Sequence, residues 1–330
     1  MPATIPIMTV FAPAMSTAQD HTYALPAHTV ATELVAVLVA VTQGQPRVLT
    51  RDRGHALPAG PFESSHRSLQ TGLRAWVEAQ THHPIGYVEQ LYTFADSDRA
   101  DQQGQRIISV SYLGLTRELE NPDIDTVGWQ DWYRYFPWED WRDGCPAIVA
   151  QQILPALHRW CSDASTTADK RQRRRRVDCI FDLDAACWSD DAVLQRYELL
   201  FEAGLIPEAV RRSGLPLGAS LPGHSMLHDH RRILATAMAR LRAKIRYRPV
   251  VFELMPPFFT LLQLQQAFEA VAGRRLHKQN FRRFIEQQAL VEESGRMTQG
   301  ASGRPAKLFQ FRGDVLQERA IAGSKLPLAR

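Results

Sequence analysis

The chain has 330 residues, a formal net charge of +4 and four cysteines, a length that suits two domains. It contains no apolar run long enough to span a membrane. The modest net charge hides a split: residues 225–330 hold 19 Lys and Arg against 8 Asp and Glu, net +11, whereas residues 1–224 hold 20 against 27, net −7. The basic C-terminal part favours a polyanionic partner, and the acidic part excludes a protein that spreads over DNA along its whole length.

Residues 1–25 are rich in Pro, Ala and Thr and are expected to form a flexible tail. ELVAVLVAV (Glu33–Val41) predicts a buried strand, and Gly44 and Pro46 a turn, with RVLTR returning as a second strand. GHALPAGPF is expected to be a loop. HRSLQTGLRAWVEAQ (His66–Gln80) predicts a helix with Leu69, Leu73, Trp76 and Val77 on one face. IGYVEQLYTF and RIISVSYLGLT predict two more strands around a polar turn. This part is an α+β sandwich with a helix after a Gly-Pro loop.

Residues 120–160 are dense in aromatics: Trp129, Trp132, Tyr133, Tyr135, Phe136, Trp138, Trp141 and Trp160. Rings this dense are expected to pack; a stacking platform for a nucleobase is the sharper alternative. ADKRQRRRRV (Ala168–Val177) is a cation run that repels itself and is expected to be a solvated loop, the alternative being contact with DNA or ligand phosphates. HDHRRILATAMARLRAKIRY (His228–Tyr247) predicts a long helix. Leu227, Leu234, Met238, Leu241 and Ile245 form its stripe, and Arg231, Arg232, Arg240, Arg242, Lys244 and Arg246 cover the rest. It is expected to connect domains or to form a dimer face. His224, His228 and His230 cluster at its start with Asp229 as the one evident carboxylate, a poor metal-ligand set. Cys145, Cys161, Cys179 and Cys187 form no CxxC pair and no zinc-ligand spacing, so ordinary thiols in a reducing compartment are expected. The N-terminus lacks a signal peptide's basic and apolar regions, which makes a cytoplasmic location the expectation.

Residues 258–312 carry the most specific pattern, a winged helix-turn-helix. Thr260 and Gln263 stand at capping-box spacing, Leu261, Leu264, Phe268 and Val271 recur at helical period, and Gly273 ends that helix. A second helix carries Lys278, Gln279, Asn280, Arg282 and Arg283 outward, with Phe281, Phe284 and Ile285 inward. A short strand, a Gly/Ser loop with Arg296 and Arg304, and the alternating AKLFQF containing Lys307 complete a wing. Arg, Asn and Gln are the side chains that read guanine and adenine bidentately, while a wing holds phosphates. Thr260, Lys278, Gln279, Asn280, Arg282, Arg283, Arg304 and Lys307 are therefore the expected DNA-binding residues, and double-stranded DNA the expected partner.

Taken together, LPAG followed by a helix, YVEQLYTFADSDR, QGQRIISVSYLGL, DHRRILATAMARLRAKIRY, VVFELMPPFFTLLQLQQAFEAVAGRRLHKQNFRR and GRPAKLFQF resemble the Nudix-related transcriptional regulators of NAD metabolism, of the NrtR/NadQ type. The resemblance spans most of residues 33–115 and 225–312. It implies an α+β fold, a Nudix-like α/β/α sandwich followed by a C-terminal winged helix-turn-helix. The implied layout is a tail at 1–25, a ligand-sensing domain at 26–224 with an insertion at about 120–224, a connecting or dimerisation helix at 225–249, a DNA-binding domain at 250–315 and a tail at 316–330. The insertion resembles a more distant branch, linked to repression of de novo NAD biosynthesis.

A working Nudix hydrolase resembles G-x5-E-x7-R-E-x-x-E-E-x-G, whose glutamates chelate magnesium and activate water. Aligned on Gly60, the glutamate positions hold His66, Ala75, Glu78 and Ala79; Arg74 matches, and Thr81 replaces the closing Gly. One glutamate of four implies a non-catalytic fold kept for binding, with no metal and no catalytic residue. The resemblance then implies an effector pocket for NAD, ATP or ADP-ribose. Arg51, Arg53, Arg74, Arg99 and Arg106 are the cations available to phosphates, Glu78 the surviving motif carboxylate, and Phe94 or Tyr92 a ring for adenine. The expected function is a ligand-responsive repressor of NAD biosynthesis genes, a homodimer on a palindromic operator. An active Nudix pyrophosphohydrolase with an accessory DNA-binding domain is the alternative, and a non-specific nucleic-acid binder a third reading.

Overall fold

The computed structural model describes residues 30–83, 85–86, 88–95, 105–118, 126–182, 188–213, 223–245, 250–298 and 305–312. Its centre is β1 (Ala31–Thr42), a strand whose apolar run has no polar face because both of its faces are covered. A two-residue turn, Gln43 and Gly44, both at positive φ, returns it into β2 (Gln45–Thr50). Pro46 lies inside β2, opposite Val41, rather than in the turn. The expected loop at 54–62 contributes a short strand, β3 (Ala59–Pro61), paired with β1. With β4 (Val88–Phe94), β5 (Ile107–Leu115) and β6 (Gly128–Asp131), the described residues form a six-stranded mixed sheet in the order β4-β5-β1-β2-β6, in which β1 and β5 run parallel.

Alternation along β1 sends its two sets of side chains to different cores. Leu34, Ala36, Leu38 and Ala40 pack with Leu73 and Val77 of α1 (Leu69–Thr81). Val35, Val37 and Val39 face a larger core that includes α6 (His230–Ile245) and α7 (Leu261–Ala272). The result is the expected α/β/α sandwich. Helix α1 starts at Leu69, later than the periodicity suggests, because Ser68 caps it by accepting from the Thr71 N–H at 3.2 Å. Gly60 is required where it stands: a Cβ there would lie 2.3 Å from the Trp76 ring, whose Nε1 donates to the Pro61 carbonyl.

The segment between β6 and α6 supplies α2 (Leu154–Ser162), α3 (Thr167–Ile180), α4 (Val193–Glu202) and α5 (Pro207–Ser213). One expectation is met here and one is corrected. The aromatic run is core: Trp132, Tyr135, Phe136 and Trp138 are fully buried, so they offer no platform to a base, and each such ring contributes about 2–3 kcal/mol by burial. The cation run is not a loop but helix α3. Thr166 caps it on the Asp169 N–H, Arg173 lies 4.2 Å from the Trp160 ring, and Arg174 pairs with Asp178 one turn on. Helix α6 buries part of its basic side as well as its apolar stripe. Ten of its sixteen residues are buried, among them Arg231 and Arg242, because the inserted helices and α7 cover the flank left free by the sheet. At its start, His230 accepts the Leu57 N–H on Nδ1 at 3.0 Å, and among the described residues no three His, Cys, Asp or Glu side chains gather as a metal site.

Candidate nucleic-acid interface and effector site

Helix α7 opens with the expected capping box. Thr260 Oγ1 accepts from the Gln263 N–H at 3.1 Å, and Gln263 Oε1 accepts from the Thr260 N–H at 2.8 Å. This occupies the Thr260 hydroxyl with its own helix. Leu264, Phe268 and Val271 are buried as the stripe requires, and Gly273 adopts the left-handed cap at φ +73. Next comes α8 (Lys278–Gln288), with only Phe281 and Ile285 buried. Phe284 is 39% exposed, against expectation. It lies about 100° around the axis from Ile285, and the contact with α7 covers only the Phe281–Ile285 ridge.

The remaining face of α8 is solvent-facing. Lys278, Gln279 and Asn280 in its first turn, and Arg282 and Arg283 in the next, are all exposed. None of these five side chains has a hydrogen-bond or ion-pair partner among the described residues. The helix starts at His277 without a side-chain cap, so its first N–H groups are also left open. Behind α8, β7 (Val291–Met297) pairs with β8 (Lys307–Phe311), and Phe259 bridges to Phe309 at the base of the wing. Lys307 is exposed and already paired with Glu293 at 2.8 Å. Arg296 lies in β7 rather than in the loop, with its guanidinium 4.1 Å from the Phe258 ring. Arg304 lies outside the described residues.

The turn into α8 is fastened to the inserted segment by buried charge. Glu139, Arg196 and Arg242 are each at most 1% exposed. Glu139 accepts from Arg196 at Oε1 (2.5 Å) and Oε2 (3.0 Å), and from Arg242 Nη1 at Oε2 (2.7 Å). Arg242 Nε donates to the Val271 carbonyl at 3.0 Å, and the Tyr133 hydroxyl donates to that of Ala270 at 2.8 Å. A Cβ on Gly273 would lie 2.5 Å from the Glu139 carbonyl oxygen. One carboxylate between two guanidiniums therefore sets where α7 ends and α8 begins. No local pattern announces this group, because its members stand 57 and 103 residues apart.

The expected effector residues fall into three places. Arg51 and Arg53 follow β2 in a tight turn where Asp52 and Arg53 both take positive φ, 52 and 56, a conformation that costs energy outside glycine. Tyr135 clamps that turn by donating to the Gly54 carbonyl at 2.6 Å, and burial pushes its phenol up to about 12. Arg53 is exposed and Arg51 half-buried. Arg74, on α1, is spent on the carbonyls of Ile85 and Gly86, which makes it a clamp for the loop after the helix. Glu78 is exposed on the same helix. Arg106 and Phe94 meet at the β4–β5 end, where Arg106 Nη2 donates to the Ala95 carbonyl at 3.0 Å. Phe94 is 3% exposed beneath the Arg232 guanidinium, so it has no free face for adenine, whereas Tyr92 is 57% exposed. Arg99 lies outside the described residues. At the Nudix motif positions, His66 Nδ1 accepts from the Glu63 N–H at 3.0 Å and Thr81 Oγ1 donates to the Val77 carbonyl at 2.7 Å.

Residues 251–311 match the family described as the NrtR DNA-binding winged helix domain. A curated relative, the ADPR responsive transcriptional repressor NtrR of Acinetobacter baylyi, is 42% identical over 83 residues; the match covers 25% of this chain and spans about a third, 33%, of that relative's length. Shewanella oneidensis NrtR complexed with a 27mer DNA superimposes with a TM-score of 0.51 at 20% identity, covering 87% of this chain and 95% of that one. A second structure of Shewanella oneidensis NrtR gives 0.50 at 20% identity, over 86% and 95%. Residues 251–311 are thus similar to the NrtR DNA-binding winged helix domain, and the chain shares the fold of the Shewanella oneidensis structures, a mixed α/β Nudix-like domain followed by a winged helix.

Proposed function

We propose that this chain is a transcriptional repressor that binds a palindromic operator as a homodimer and releases or tightens it in response to an adenine nucleotide. The single observation that carries this reading is the exposed face of α8, where Lys278, Gln279, Asn280, Arg282 and Arg283 have no side-chain partner among the described residues. Such a face suits base edges in the major groove, and the open helix start suits a phosphate. The reading is supported by the Acinetobacter baylyi relative, by name an ADPR responsive transcriptional repressor, and by the Shewanella oneidensis protein, which is complexed with a 27mer DNA. ADP-ribose is accordingly the first effector to test, before NAD and ATP, and NAD biosynthesis genes are the first targets. Hydrolysis is not proposed, because one motif glutamate cannot hold magnesium as several would.

An effector regulates only if it prefers one arrangement of the molecule. The buried Glu139–Arg196–Arg242 group ties α7 to the inserted helices, and α7 itself packs on β1 and β2. A ligand that shifts the sheet can thereby shift α8. The test is binding of the purified chain to DNA from an NAD-biosynthesis promoter, titrated with ADP-ribose, NAD and ATP in turn. Sequence-specific binding whose affinity moves with one nucleotide is the expected result. Binding that is equal on all sequences would reject the repressor, and magnesium-dependent turnover of ADP-ribose abolished by Glu78→Gln would restore the hydrolase.

A further inference from the structure

Helix α3 carries six Lys and Arg and two Asp in fourteen residues, and buries only Val177. The fold uses part of this charge. Arg173 donates to the Trp160 carbonyl at 2.8 Å while lying over that ring, Arg176 pairs with Glu202, and Arg174 pairs with Asp178. Lys170, Arg171 and Arg175 are exposed and have no partner among the described residues. Their spacing works against the helix: Lys170 with Arg174 and Arg171 with Arg175 are like charges four residues apart, which repel across one turn. A face that needs only solvation would mix its signs. The cations that do nothing for the fold therefore want an anion.

The position of α3 says which anion. Its last residue, Ile180, offers its carbonyl to Arg196 Nη1 at 3.4 Å. The same Arg196 guanidinium lies 3.9 Å from the Trp188 ring, and the Trp188 carbonyl accepts from Arg274 Nη2 at 2.6 Å. Arg274 begins the turn that leads into α8. The C-terminal end of α3 and the start of α8 are thus held by one short chain of contacts. At about 1.5 Å per residue, Lys170 lies about 15 Å along α3 from Ile180, close to half of a ~34 Å duplex turn. We infer that Lys170, Arg171 and Arg175 of α3 form a second, sequence-independent DNA-contact surface that grips phosphates flanking the stretch read by α8. This rests on the DNA-binding reading of α8.

The experiment uses the full chain and a duplex of the operator that the wild-type chain selects from randomised DNA, with about one helical turn of flanking sequence on each side. Binding is measured over a range of salt for the wild type and for Lys170→Ala/Arg171→Ala/Arg175→Ala. Three phosphate contacts per chain, six in the bound homodimer, predict a log–log salt slope shallower by about 5 and an affinity about 10-fold or more lower at 0.1 M salt. The preference for operator over random DNA stays unchanged, because phosphates carry no sequence. On a duplex trimmed to the operator itself the two proteins bind alike, and the variant melts no lower than the wild type because like-charge repulsion is relieved. Arg171→Glu, a single exposed change, moves the slope in the same direction. Equal slopes and affinities on the long duplex would overturn the inference while leaving α8 as the reader. A loss confined to ADP-ribose binding would overturn it in favour of the nucleotide's phosphates. A wild type with no selected sequence would remove the α8 reading itself, and this one with it.

Discussion

Replacing Glu139 by Gln tests the buried charge group that holds the turn before α8. The substitution keeps the shape and removes one negative charge from between two guanidiniums that have almost no access to water. Glu139 Oε2 accepts from both Arg196 Nη2 and Arg242 Nη1, at 3.0 and 2.7 Å, and Oε1 accepts from Arg196 Nε at 2.5 Å. A Gln amide can accept at only one of these atoms, and its NH2 would face donors at the other. Breaking a buried ion pair from one side costs about 3–5 kcal/mol, because the partner charge stays buried without compensation. Spread over the unfolding entropy of a chain this long, that is a fall in melting temperature of about 4–7 °C. The assay is thermal and denaturant unfolding of Glu139→Gln beside Arg275→Ala, whose pair with the 93%-exposed Asp143 sits at the surface and is worth at most about 1 kcal/mol. Arg275 also donates to Oε2 of the buried Glu269 at 3.2 Å, so the control is not silent; Gln265 and the Leu276 N–H keep only Oε1 of that carboxylate bonded. A Glu139→Gln protein that melts within a degree of the wild type would refute the reasoning.

Three further outcomes are expected. Arg282→Ala and Arg283→Ala leave the melting temperature unchanged, since both side chains are exposed and unpaired among the described residues, but removing a base-reading side chain at either position costs about 1–3 kcal/mol in discrimination between operator and mismatched sites; undiminished discrimination in both would remove α8 as the reader. Gly273→Ala destabilises the chain by more than about 1 kcal/mol, because φ is +73 and the new Cβ meets the Glu139 carbonyl, and comparing its unfolding midpoint with that of Gly295→Ala, where a Cβ meets nothing, separates the clash from the φ penalty. His83 is buried against Trp129 with its Nε2 3.1 Å from Thr116 Oγ1, and burial lowers its pKa below the ordinary 6.5. The neutral ring is therefore the form the fold accepts: its stabilising contribution is complete above pH 6.5 and is lost as pH falls through the lowered value. His83→Gln should flatten this part of the stability profile between pH 7 and 5; identical slopes in the two proteins would show that another group carries it.

What the sequence determined by itself was local. The Thr260–Gln263 capping box, the Gly273 stop, the α7 stripe and the outward cations of α8 all depend on residues within a few positions of one another, and period and cap chemistry read them directly. The double burial of β1 was visible as an unbroken apolar run. The Nudix motif was equally legible as a pattern with one glutamate in four places. Tertiary structure decided what composition leaves open. Arg231 and Arg242 carry the same charge as Arg240, yet they are buried because Glu208 and Glu139 reach them from distant segments. The Ala168–Val177 run became a helix because a cap, an aromatic ring and two carboxylates offset part of its self-repulsion. Phe284 became exposed because α7 covers a single ridge of α8, and Arg74 became a loop clamp because two carbonyls stand beside it. The buried arginines and the exposed Phe284 depend on partners in other elements, whose positions are set only when the layers pack.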